Sequence, residues 1–331
     1  MDGDNVSGIE DGSAEHPYAL ISSAMDQAAY GDTVLVMPGE YSEWLGADMH
    51  DPMSMNTAAV VMRDGVALIS GAGPEETTIH GYSTQGVVYF GDCGPETVVS
   101  GFRICGSGVG WGVRTGVFVY GGAPRIVGNQ LHLYYPDIYC RGAATPTIAE
   151  NVIGVDDPAM PEGYVYLSDG SAGTISDNVL FGAGIGVSTS LPLTDTLRVH
   201  ANSVQGTDPS GSAAGVSVGP CDPELVKIVG NSVTGKATAI KMCGGTLRGN
   251  ILSGNTVALE AAMACSQRDG IDAQMNWWGT VDSLAIQTLI VDCHDDASRP
   301  CVNFSPWCLD SECSSSNVQH LTWGRLKARY R

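Results

Sequence analysis

Long apolar runs are missing from this chain of 331 residues. No stretch reaches the roughly 18 residues a membrane-spanning helix needs, so nothing in it reads as a membrane span. Lysine is scarce, with four in all, and charged residues make up only 16%, below the usual quarter. Such a surface does not suit long exposed helices laced with ion pairs. Positive charge is short overall: the net charge is −20. That field repels nucleic acid phosphates and anionic membrane surfaces, which excludes both as expected partners. It also disfavours a polyanionic substrate unless local Arg or bound cations reverse it. There is no CxxC and no Cys/His spacing typical of zinc. No leader precedes Asp2-Gly3-Asp4, so the expectation is a secreted or cell-surface protein whose leader is absent from this sequence.

What is present fits the same picture. The 43 glycines suit tight turns between short strands. The ten cysteines are even in number, and five fall late: Cys265, Cys293, Cys301, Cys308 and Cys313. In a Gly-rich, acidic chain this predicts an oxidising compartment and a disulfide-stapled C-terminal end. The Gly-rich stretch from Gly106 to Gly112 carries no Lys and no following helical pattern, so it is not a phosphate loop.

One phrase recurs from Ile126 onward: an apolar residue, two or three small or polar ones, then Asn. The asparagines are Asn129, Asn151, Asn178, Asn202, Asn231, Asn250 and Asn276, at steps of 22, 27, 24, 29, 19 and 26 residues. Self-similarity at this period means a stacked-repeat architecture. Asn at a turn tolerates left-handed backbone, and its amide both donates and accepts, so stacked asparagines are read as structural.

Ahead of the repeats, Tyr18, Ile21, Met25, Ala28 and Ala29 fall on one helical face and Gly31 closes the pattern, predicting a capping helix over 17–30. Residues 44–56 fit no coil and read as an insertion loop. The run Gly31-Asp32-Thr33-Val34 and the turn Pro38-Gly39-Glu40-Tyr41, with the helix before them, resemble the N-terminal cap of right-handed parallel β-helix proteins of the pectin-lyase-like class. Asn276-Trp277-Trp278-Gly279 and Val302 to Trp307 are similar to that class's closing segment. The resemblance spans about 11–308. It implies an all-β, right-handed parallel β-helix of about ten coils with an N-terminal capping helix. Residues 1–14 are then a flexible start, 15–308 the single β-helix domain and 309–331 a C-terminal tail whose basic end is positioned to dock a partner.

A second ladder runs beside the asparagines. Inward apolar pairs two residues apart begin successive coils: Val88/Phe90, Val117/Val119, Ile138/Cys140, Val165/Leu167, Ile185/Val187, Val216/Val218, Ile240/Met242 and Val257/Leu259. Strand side chains alternate faces, so the residue inside each pair points outward. These are Tyr89, Phe118, Tyr139, Tyr166, Gly186, Ser217, Lys241 and Ala258. Four aromatics on consecutive coils match the flat faces of sugar rings, although mutual stacking for stability accounts for them equally well. Tyr120 and Arg141 follow on the same face; Trp111, Arg114, His132, Tyr135 and Asp137 lie on the adjoining turns. Tyr89, Phe118, Tyr120, Arg114, Trp111, Tyr135 and Lys241 are therefore candidates to bind a polysaccharide.

If the face is catalytic, Tyr139, Arg141, Tyr166 and His132 supply the residue types that β-elimination next to a uronate carboxylate requires. Asp137, Asp156, Asp157 and Asp169 are candidate Ca²⁺ ligands. The resemblance leaves function open: its class includes lyases, epimerases and hydrolases, and the segments Asn-Thr-Asp, Gly-His-Gly and Arg-Ile-Lys of its polygalacturonase-like hydrolases are absent here. Three expectations stand: a polysaccharide lyase or epimerase, a non-catalytic extracellular structural or adhesion protein, and, least favoured, a β-helix glycoside hydrolase.

Overall fold

A computed structural model describes residues 9–43, 58–81, 86–106, 115–132, 136–154, 163–182, 184–188, 191–206, 214–262, 270–313 and 318–319. The chain winds through three sheets in turn, and each strand pairs in parallel with the strand one circuit earlier and one later. Arg125–Val127 belongs to the first sheet, Gln130–His132 to the second and Ile138–Arg141 to the third; Thr147–Ala149 then returns to the first beside Arg125–Val127. The first sheet has eleven strands, the second eight and the third ten. This is a parallel β-helix, as the repeat period implies.

The reason lies in three apolar columns that meet inside. Ile126, Ile148, Ile175, Val199 and Ile228 stack in register on the first sheet. Leu131, Ile153, Leu180 and Val204 do so on the second, and Val117, Ile138, Val165 and Ile185 on the third. All are fully buried. β-branched side chains dominate because they pack well on a pleated surface. Short strands with one inward residue bury too little alone, so each coil depends on its neighbours.

The turn between first and second sheets holds the asparagines. Each Nδ2 donates to the Oδ1 of the next: Asn151 to Asn178 at 3.0 Å, Asn178 to Asn202 at 2.9 Å, Asn202 to Asn231 at 2.9 Å. Each also donates back to a carbonyl of the preceding coil, as Asn178 does to Ile148 at 2.9 Å. Its Oδ1 accepts the backbone N–H of the Asn before it, 2.9 Å for Asn151 onto Asn178. The left-handed backbone, however, belongs to the residue before each Asn: Gly128, Glu150, Asp177, Ala201, Gly230, Gly249 and Met275 all have φ between 55° and 69°. The Asn is selected for its amide, not for its tolerance of positive φ.

The helical pattern shrinks. Only Ile21–Gln27 (α1) is helical, set against the first strand of each sheet. Upstream, residues 11–16 close on themselves: the N–H groups of Asp11 and Gly12 both donate to the His16 carbonyl at 3.1 Å. Downstream, Ala28 is extended, and Asp32 takes the Ala29 N–H at 2.8 Å, leaving Ala29 exposed.

The inward pair expected at Val257/Leu259 is also corrected. Ile240 pairs with Leu259, Lys241 with Glu260 and Met242 with Ala261. The inward pair is therefore Leu259/Ala261; Ala258 is buried and Glu260 takes the outer position.

The C-terminal end is stapled as expected, by Cys293–Cys301 and Cys308–Cys313. Between them and the last Asn, Ser283–Thr288 (α2) is capped by Asp282, which accepts the Leu284 N–H at 2.9 Å. Val318–Gln319 returns antiparallel to Trp307–Cys308. No helix of the described residues is long and apolar enough to cross a membrane.

Candidate functional site

The outer face of the third sheet carries the expected column. Tyr89 is in register with Phe118, Phe118 with Tyr139, Tyr139 with Tyr166, Tyr166 with Gly186 and Gly186 with Ser217. Strand spacing of about 4.8 Å sets the pitch, and the rings follow it. Their centroids lie 5.7 Å apart for Tyr89 and Phe118, 5.3 Å for Phe118 and Tyr139, and 5.5 Å for Tyr139 and Tyr166. Tyr89, Tyr139 and Tyr166 are half-buried. Phe118, held between two rings, is only 7% exposed, and so serves more as a spacer than as an open contact.

The row does not stop at Gly186. Tyr164, two residues before Tyr166 on the same face, stacks on Tyr166 at 5.7 Å and 19°. A Cβ on Gly186 would sit 1.7 Å from the Tyr164 hydroxyl, so the missing side chain is what admits the ring. Five rings thus form one continuous strip. Tyr164 was legible only as a tyrosine beside a coil whose outer position is glycine; the ring that fills such a gap need not come from the gap's own column.

Polar groups flank the strip on one side. Arg141 pairs with Asp169 at 3.0 Å, its side chain remaining 46% exposed. Its guanidinium lies 5.9 Å from the ring of Tyr120, which is in register with it. The Tyr139 hydroxyl is 3.1 Å from the Ser168 Oγ, so the ring is pinned at its tip as well as its faces. Burial, with smaller electrostatic contributions from Cys93 and Tyr120, pushes the Tyr89 phenol above its ordinary pKa; it stays protonated and able to donate.

Further along, the column changes character. Lys241 pairs with Glu260 at 3.0 Å, and Arg299 reaches the same carboxylate at 3.3 Å. Desolvation pushes Glu260 up, but the hydrogen bonds and charges of Lys241 and Arg299 together outweigh it and hold the carboxyl below the usual range.

The other candidates fall differently. His132 ends a strand of the second sheet, next to Cys105, and lies off the strip. Desolvation and the Arg103 charge lower its pKa. Asp137 is 0% exposed, and its carboxylate accepts the Tyr164 N–H at 2.9 Å, so it braces the backbone under the strip. Asp169 is engaged by Arg141. Trp111, Arg114, Tyr135, Asp156 and Asp157 lie outside the described residues.

Among the described residues, the acid, thiol and imidazole groups close enough to share a cation are Asp292, Cys293 and His294. Cys293 is consumed by its disulfide, and Asp292 already accepts from the N–H of His294 and of Val302 at 2.9 and 3.0 Å. That group is a loop brace. Burial pushes the Cys140 thiol far up and the Cys221 thiol to about 11, which disfavours their thiolates.

No family model and no curated protein matches the chain. Among solved structures it is similar to the A-module of the Azotobacter vinelandii mannuronan C-5 epimerase AlgE6. That likeness covers 87% of this chain and 78% of the other, at 15% identity and a TM-score of 0.35. At that distance no residue is transferred between the two.

Proposed function

We propose that the outer face of the third sheet binds polysaccharide, with Tyr89, Tyr139, Tyr166 and Tyr164 as the stacking surface and Arg141 as the polar anchor at its edge. The observation that carries this reading is the five-ring strip. Half-buried tyrosines pair a flat apolar face with a polar tip, and sugars present apolar C–H faces ringed by hydroxyls. The strip runs coil to coil, so it suits a linear chain lying along the helix axis. Its members are locked by stacking and by the Tyr139–Ser168 contact, so little side-chain entropy is lost on binding. Two disulfides in the C-terminal segment accord with an extracellular setting.

The strip is a binding feature, not a proton-transfer feature, and binding is accordingly the conclusion. Chemistry on uronate chains is the second reading, favoured by one observation. Arg141 stays partly exposed although Asp169 holds it, so its guanidinium is presented to a carboxylate beside Tyr139. A hydrolase would need two carboxylates facing the sugar; two of the described acids beside the strip do not meet that need, Asp137 being buried and Asp169 paired with Arg141.

The test is affinity electrophoresis against neutral and uronate polysaccharides. Tyr139→Ala, which removes two ring contacts, is expected to weaken binding by about tenfold or more, a loss of about 1.4 kcal/mol. Tyr139→Phe, which removes only the hydroxyl, should bind nearly as well as the parent. Binding unchanged by Tyr139→Ala would remove the strip from the reading. Ultraviolet-absorbing unsaturated product, with or without Ca²⁺, would establish a lyase in addition.

A further inference from the structure

Cations are scarce in this chain, and the structure commits most of those it describes. Arg103 faces Glu75 at 3.9 Å, Arg141 faces Asp169, Lys241 and Arg299 share Glu260, and Arg248 meets Asp272 at 2.6 Å. Arg63 donates to the carbonyls of Met25 and Asp26 at the end of α1, and buried Lys236 donates to the Gly182 carbonyl. Three described cations have neither an ion pair nor a hydrogen bond to another coil: Arg125, Lys227 and Arg198, the last lying 3.5 Å from the Thr196 carbonyl just before its own strand. All three are exposed, and all three occupy one column on the outer face of the first sheet. The register runs Arg125, Thr147, Thr174, Arg198, Lys227, one residue per coil.

This arrangement is not what stability alone would select. Arg198 and Lys227 are direct cross-strand partners of like charge, which is unfavourable. The nearby acids do not answer them. Glu150 and Asp177 lie in the turns that follow strands of this sheet, and Asp195 and Glu224 in the loops that precede them. They flank the column and leave a narrow basic track on an otherwise acidic surface. From Arg125 to Arg198 is three coil steps, about 14 Å, and from Arg198 to Lys227 one, about 5 Å. Between the cations stand two threonine hydroxyls, each able to donate and accept.

We infer that this face holds a linear, negatively charged polysaccharide, carboxylated or sulfated, lying along the first sheet with its acid groups on Arg125, Arg198 and Lys227 and its hydroxyls on Thr147 and Thr174. A chain that carries both acid groups and hydroxyls can meet both kinds of group in the column, cations at its two ends and threonines between. A nucleic acid does not fit as well: the column has no ring on which a base would stack. The inference is independent of the aromatic strip, which lies on a different sheet.

The experiment uses the whole chain, in gels containing polygalacturonate, dextran sulfate or neutral dextran, with an oligothymidylate as the nucleic acid arm. The parent should be retarded by the two polyanions at low salt, and retardation should fall steeply as salt rises to roughly 200 mM. Arg198→Gln/Lys227→Gln should lose about tenfold or more in affinity for the polyanions, while its thermal unfolding matches or exceeds the parent's. Tyr139→Ala should keep the binding of dextran sulfate, whatever it does to neutral and uronate chains. Unchanged binding by the double variant, no retardation by either polyanion, loss of dextran sulfate binding in Tyr139→Ala, or tighter binding of the oligothymidylate would each overturn the assignment.

Discussion

Two kinds of column run through this molecule at the same pitch. The asparagine column between the first and second sheets is buried, and every amide in it is spent on its neighbours. The columns on the outer faces are built by the same register but keep capacity in hand: ring faces on the third sheet, unpaired cations on the first. A solenoid repeats geometry, and it is free to vary what each copy of a position does. Where the position is sealed from water, an unpaired amide would cost its full desolvation, so all seven coils carry Asn. Where it faces water, the same slot passes from Tyr89 through Gly186 to Glu260 without harm to the stack.

The contrast is tested most severely by Asn178→Ala. That side chain donates to the Ile148 and Ser176 carbonyls at 2.9 Å and to Asn202, and it accepts the N–H and amide of Asn151. Several buried groups lose partners at once, and each costs about 1–3 kcal/mol. The expected loss is about 3 kcal/mol or more, read from urea unfolding. A loss below about 1 kcal/mol would mean that water or neighbouring amides replace Asn178 and that the column is less closed than its geometry states. Because the substitution lies outside both outer faces, the protein that remains folded should bind glycan as the parent does.

A smaller effect is expected where an outer column does become saturated. Glu260 sits between Lys241 and Arg299, and its carboxyl is held below the ordinary value of 4.5. A lowered folded-state pKa contributes stability that is fully present above the unfolded value. It is lost as pH falls through the folded value. Glu260→Gln should therefore be destabilised at pH 7, by roughly 1 kcal/mol for a partly exposed pair. The gap from the parent should close as the pH drops below about 4.5 and on through the lowered pKa. Urea midpoints of the two proteins taken across that range give the answer; a gap that widened in acid would reverse the sign assigned to the Lys241 and Arg299 interactions.

Much of this was legible in the chain because each column repeats a residue type or an alternation. The asparagine spacing gave the coil register, and the inward pairs up to Ile240/Met242 gave the outer column. The misreading at Val257 shows the limit. Residues 257, 259 and 261 are all apolar, so alternation alone allows two registers; the Lys241–Glu260 pairing and the chain's path out of the preceding turn choose between them. Asp137 reads from its turn as a candidate Ca²⁺ ligand. Its carboxylate accepts the Tyr164 N–H, which lies a full coil later, and no local pattern announces a bond across that distance. Tyr164 was missed for the related reason that it fills a gap belonging to the next coil. What a single position does is local; what covers it is decided by the neighbour above.

The mildest test concerns the first sheet. If Arg198 and Lys227 stand opposite each other for a ligand and not for the fold, then relieving that contact should help the free protein. Lys227→Thr extends the threonine pattern of Thr147 and Thr174 into the next coils, on a strand whose inward residue Ile228 is untouched. Removing a like-charge cross-strand pair should stabilise by about 0.2–1 kcal/mol, most visibly at low ionic strength. The gain should shrink in high salt, which screens the repulsion in the parent. Threonine also has the better strand propensity, and that part of the gain is independent of salt, so unfolding at two ionic strengths separates the two contributions. A destabilised Lys227→Thr would show that the lysine serves the stack itself, and the two kinds of column would then differ less than their burial implies.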